Sequence, residues 1–202
     1  MLSKIKAAFG SIFTYLKNWG ARPANATYWV PYATIGIILT NVFVHFHGAG
    51  WGFTLADLLR QPFALIGYQF THPTFEHLFG NMLFLFLFGP SVERYFGHLK
   101  FIAFYLLCGI GAALGFALFF PLATVVGASG AIAGLIAIHP FVHRSIVVRL
   151  MSACLVAVYF YSQVQASIQD LMVPELSLVA HLAHVVGGVT ALVVFSYLHK
   201  KS

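Results

Sequence analysis

Charge is scarce in this sequence. Asp, Glu, Lys and Arg make up 8% of its 202 residues, and only five of them are acidic. A soluble domain carries about one quarter charged residues, so a water-covered globule is excluded. Cysteine is also scarce. Cys108 and Cys154 both sit inside apolar runs, which argues against a disulfide framework. There is no H-E-x-x-H, no internal repeat, no low-complexity tract and no long hydrophilic insert. Without inverted halves or matched broken helices, a transporter built on that plan is disfavoured. What the chain has instead is 60% hydrophobic residues and a mean hydropathy of +0.87, a composition suited to lipid. The net charge of +6 would suit nucleic acid only if the basic residues clustered. They do not, so the lipid bilayer is the expected surrounding and no nucleic-acid partner is expected.

A crossing helix needs roughly 20 apolar residues. Spans are expected near 29–46, 78–96, 100–121, 129–143, 147–169 and 176–198, with Gly, Pro and charges at the breaks. The expected fold class is an all-α integral membrane protein, a six-transmembrane-helix bundle. With both termini on one side, ten basic residues share the inner face, among them Arg94, Lys100, Arg144 and Arg149, and only Arg60 lies outside. Such segregation orients the termini inward. Residues 2–19 place Leu2, Ile5, Phe9, Ile12, Phe13 and Leu16 on one helical face, with lysines and polar groups on the other. This pattern predicts an amphipathic interfacial helix within an N-terminal segment 1–26, ahead of a membrane domain 27–202. The first external connection, roughly 47–71, carries Trp51, Phe53, Leu55, Leu58, Leu59 and Phe63, as expected of a segment in the outer interface.

This topology brings polar groups from three distant segments to similar outer depths. The second, fourth and sixth spans all enter from outside, so His77 and Asn81, Ser129, and His184 lie in their outer halves. Polar groups at membrane depth are costly and tend to face a bundle interior or a wet cavity. The fourth span offers about 15 residues, or about 22 Å against a hydrocarbon core of about 30 Å. If it reaches the inner side it starts submerged, which predicts a water-filled hollow above Ser129. Gly130 and Gly134 form a small-residue ridge on that span, and Gly187 and Ala191 form a matching ridge on the last one. Docking these ridges would bring Ser129 to His184 as a nucleophile–base pair. Glu76 points elsewhere, so a dyad is expected. His77 and Asn81, one turn apart on one face, could hold an oxyanion together with the Ser129 backbone N–H.

These residues sit in motifs that together resemble the rhomboid intramembrane serine proteases. "GASGAIAGL" resembles the family's G-x-S-G nucleophile motif, in which Gly127 precedes Ser129. "THPTFEHLFGNMLFLFLFG" is similar to its second-helix motif, "AHVVGGVTA" to its last-helix motif, and "GPSVERYFG" to its inner turn. The resemblance covers about residues 30–198. It implies catalytic Ser129 and His184, oxyanion-hole His77 and Asn81, and an anchoring role for Glu93. It also implies single-pass transmembrane substrates, small residues before the cut, and entry past the fifth span, here carrying "YFY" at 159–161. No cofactor and no metal are implied. Three features depart from the pattern: Ala133 stands where some relatives place an aromatic against the base, Ala191 replaces a glycine, and the first external loop lacks a Trp-Arg pair.

Other readings use the same residues. Ser129 alone could be a small packing residue. His181, one turn before His184, could be the base, but only His184 is followed by Gly at +3 and a small residue at +7. Ten histidines admit a polytopic haem or metal protein, and a catalytically inactive rhomboid-like membrane-protein binder would keep the same fold. An intramembrane aspartyl protease is disfavoured because Asp57 and Asp170 are expected in outer loops. From the compact chain the expected location is a bacterial inner membrane, with the site opening to the outer side.

Overall fold

The apolar runs form helices in a computed structural model that describes residues 29–48, 50–172 and 180–199. Their order is α1 (Tyr32–His47), α2 (Asp57–Arg60), α3 (Ala64–Gly67), a 3-10 turn (Tyr68–Phe70), α4 (Phe75–Phe96), α5 (His98–Phe119), α6 (Ser129–Val142), α7 (Ile146–Met172) and α8 (His181–His199). Among the described residues four helices, α4, α5, α7 and α8, are long and apolar enough to cross a membrane. The apolar α1 and α6 are shorter, at 16 and 14 residues. The expected helix over residues 2–19 and the connection holding Glu175 lie outside the described residues.

The boundaries follow local chemistry. Helix α4 starts at Phe75, earlier than expected, because the Thr74 side chain accepts a hydrogen bond from the His77 backbone N–H at 3.2 Å, a standard way to satisfy a first-turn donor. It ends at Gly97, whose φ of +80° is a conformation that glycine adopts without strain. Helix α7 runs on to Met172, and its last turn contains Asp170. The expectation of an outer-loop Asp170 was therefore wrong. The carboxylate is buried and accepts from the His181 ring at 3.0 Å, and this partner offsets the cost of placing it there.

Helix α6 sits at the centre, packed against α4, α5, α7 and α8. The first connection packs back against the bundle. Phe53, expected to be interfacial, has no solvent-exposed surface and forms an antiparallel bridge to Val125. Leu59 and Phe63 of the same segment remain outward and exposed. At the other end, Glu93 is fully buried and accepts from the backbone N–H groups of Ala33 and Thr34 at 2.9 and 2.7 Å, and from the Thr34 hydroxyl at 2.6 Å. The ring of His98 is its fourth partner. One carboxylate thus caps the first turn of α1 from α4.

Candidate active site

Ser129 opens α6, and the loop before it is fixed from three sides. Phe53 and Val125 exchange backbone hydrogen bonds at 3.0 and 2.9 Å, and Gly127 N–H donates to the Tyr68 carbonyl at 2.8 Å. The Ala128 N–H donates to Nε2 of His72 at 3.4 Å. Gly127 has φ +104°, and a Cβ there would lie 2.7 Å from Cε1 of the His77 ring. Only glycine meets both conditions. As the first residue of a helix, Ser129 has a backbone N–H without an intrahelical acceptor, at the end of the helix dipole that favours negative charge.

The small-residue ridges meet. A side chain at Gly187 would run into the Gly130 carbonyl, whereas one at Gly134 would meet Cys108 of α5 first, 2.7 Å from its Sγ, and then the Ala191 methyl at 3.2 Å. The α6 and α8 backbones therefore approach closely, as small residues permit. The result is a contact of 2.8 Å between Ser129 Oγ and His184 Nε2. His184 Nδ1 lies 2.6 Å from Oε1 of Gln163. An amide oxygen only accepts, so Nδ1 carries the proton and Nε2 is left as an acceptor facing the serine hydroxyl.

His77 and Asn81 border the same cavity as Ser129 and His184, a space of about 260 Å³ between α4 and α7 with α6 at its base. Asn81 is buried and spends one amide hydrogen on the His77 carbonyl at 2.9 Å, which leaves the second for a ligand. Outside the spanning helices, His72 packs edge-on to His77 with centroids 5.0 Å apart. Burial first, and the neighbouring His77 next, push its pKa down to about 4. A neutral ring is what allows His72 to accept from Ala128.

Glu93 is not part of this cluster and belongs to the α1–α4 contact. His181 faces Asp170, with its ring 6.1 Å from that of His184. The residue that sequence reasoning missed is Gln163. Its signal was a polar stripe on the fifth span, Ser152, Gln163, Ser167 and Asp170, at intervals close to whole helical turns. Among the described residues no three His, Cys, Asp or Glu side chains group to hold a metal ion.

A family model of the rhomboid domain matches residues 59–201. The chain is 30% identical over 187 residues to "Rhomboid-like protein 11, chloroplastic" of Arabidopsis thaliana, covering 88% of this chain and 66% of that one. It is 29% identical over 141 residues to "Putative rhomboid protease YdcA" of Bacillus subtilis, covering 68% and 69%. A shorter match, 36% over 76 residues, links it to "RHOMBOID-like protein 6, mitochondrial" of Arabidopsis thaliana, covering 38% of this chain and 25% of that one. The chain thus spans about two thirds of the length of the first two relatives.

Proposed function

The chain belongs to the rhomboid family of membrane proteins, and on that premise we propose that it is an intramembrane serine endopeptidase that cuts single-pass transmembrane substrates in or near the bilayer. The observation that carries this reading is the 2.8 Å contact between Ser129 Oγ and His184 Nε2, with the far ring nitrogen held by Gln163. His184 takes the serine proton as Oγ attacks the scissile carbonyl, then returns it to the leaving amine. The tetrahedral oxyanion is held by His77, Asn81 and the free N–H at the start of α6. Water from the cavity releases the acyl-enzyme.

The finer topology belongs to the same proposal. Residues 27–202 form a six-crossing protease domain, with 1–26 as a separate N-terminal segment. The termini face the cytoplasm, by the distribution of Lys and Arg, and the cavity opens to the outer side of a bacterial inner membrane. Helix α6, at 14 residues, spans only about 21 Å, which supports a nucleophile set below the outer surface. The preference for a small residue before the cut follows the family.

The test is cleavage of a single-pass substrate in liposomes by wild type, Ser129→Ala and His184→Ala. Wild type is expected to cut, and each folded variant to lose about 10³-fold or more in turnover. Cutting by Ser129→Ala at the wild-type rate would remove the proposal. A wild type that binds substrate without cutting would point to the inactive binder.

A further inference from the structure

We propose that Gln163 is the positioning residue that sets the tautomer of His184, and that it does so only while α7 lies against α8. The inference rests on the protease reading above and adds a control over it. Among the described residues no carboxylate shares a hydrogen bond with His184. Asp170, two turns from Gln163 on the same helix, is taken by His181. The partner of Nδ1 is the amide oxygen of Gln163 at 2.6 Å. A neutral imidazole can carry its proton on either nitrogen. With the proton on Nε2 the ring would present a donor to Ser129, and the hydroxyl would have no base.

Of the four helices long enough to cross a membrane, Gln163 resides on the one least embedded in the fold. Of the 27 residues of α7 only Ser152, Ser167 and Asp170 are buried. Its side-chain hydrogen bonds to neighbouring helices include three to histidines: Ser152 to His139 at 2.8 Å, Gln163 to His184, and Asp170 to His181. Apolar contact comes from a narrow strip, where Val156, Tyr159 and Phe160 touch the core and Phe160 covers Gly188 of α8. The same helix forms a wall of the cavity through Tyr159 and Gln163. A substrate helix that displaces α7 therefore removes the acceptor from Nδ1. The base regains its productive tautomer only when α7 closes again.

The test compares wild type, Gln163→Leu, which keeps the size without the acceptor, and Gln163→Glu, which restores an acceptor. The readouts are labelling of Ser129 by a fluorophosphonate and steady-state cleavage of a transmembrane substrate. Gln163→Leu is expected to lose about 10- to 100-fold in kcat at unchanged KM, less than the roughly 10⁴-fold of a base locked in the wrong tautomer. Gln163→Glu is expected to recover kcat at neutral pH and to move the acid limb of the profile to higher pH, because a carboxylate beside the ring favours the imidazolium. Dependence on docking is read from a double-mutant cycle with Phe160→Ala. Loosening α7 should slow labelling in the wild-type background and have little further effect in Gln163→Leu. Losses that multiply independently would remove the docking claim. Equal kcat for Gln163→Leu and wild type would remove the inference alone, whereas a wild type that neither labels nor cuts would remove the protease reading with it.

Discussion

Helices α6 and α7 follow one another in the chain and both are apolar, yet ten of the fourteen residues of α6 are buried and only three of the twenty-seven of α7. In lipid a leucine gains little by leaving the membrane for a protein interior, so close packing and polar contacts decide which helices stay together. Helix α6 uses close packing. Gly130 and Gly187 let α8 come to backbone contact, and the loop leading into α6 is tied down by Tyr68 and His72. Helix α7 uses polar contacts and leaves Leu155, Val158 and Tyr161 outward. Ser129 is therefore carried by a helix that is mostly buried, and the partner of His184 by the long helix with the fewest buried residues for its length.

The largest effect should come from forcing the tight seam apart. Gly187→Val places a branched side chain against the Gly130 carbonyl, so Ser129 and His184 part. Turnover should fall about 10³-fold or more, as when either partner is removed, and stability by about 1–3 kcal/mol; substrate kinetics and an SDS-denaturation midpoint measure both. Next is Asn81→Ala on the rigid side, with an expected loss of about 10²-fold in kcat, little change in KM and a folded protein. If KM moves and kcat does not, Asn81 binds substrate rather than the oxyanion.

Acid should attack the rigid side as well. His72 ordinarily has a pKa of 6.5 and is held near 4 here. As pH falls through 6.5 the unfolded chain takes up a proton and the folded one does not, until about pH 4. Stability contributed by the neutral ring is thus present above 6.5 and lost across that window. The denaturation midpoint measured from pH 7 to 4 should decline, and His72→Gln should flatten the slope. The smallest effect belongs to the outward side of α7: Val158→Ala should shift stability by no more than about 0.5 kcal/mol, and a much larger cost would mean that α7 is packed on that face too.

The seam was legible in the sequence because a small-residue ridge is a local pattern. Gly130 and Gly134 announce a close approach, and Gly187 and Ala191 announce its partner at the same spacing. The loop before Ser129 was legible in part. Gly127 could be read from its motif, but its reason, the His77 ring occupying the place of a side chain, needed the fold. Three features were not legible. The burial of Phe53 depends on a bridge to Val125, some seventy residues away. The place of Asp170 depends on α7 outrunning its apolar core by a turn, with His181 waiting for it. The contact of Gln163 with His184 depends on which helix α7 leans against, and a polar residue within a span names no partner by itself.

The central claim is that Ser129 is an activated nucleophile. It is tested most directly by treating the membrane-reconstituted protein with a fluorophosphonate and mapping the adduct by mass spectrometry, in wild type and in His184→Ala. The expected result is a single modified serine, Ser129, in wild type and its loss in His184→Ala. An unmodified Ser129 in wild-type protein that still cuts a transmembrane substrate would contradict the account.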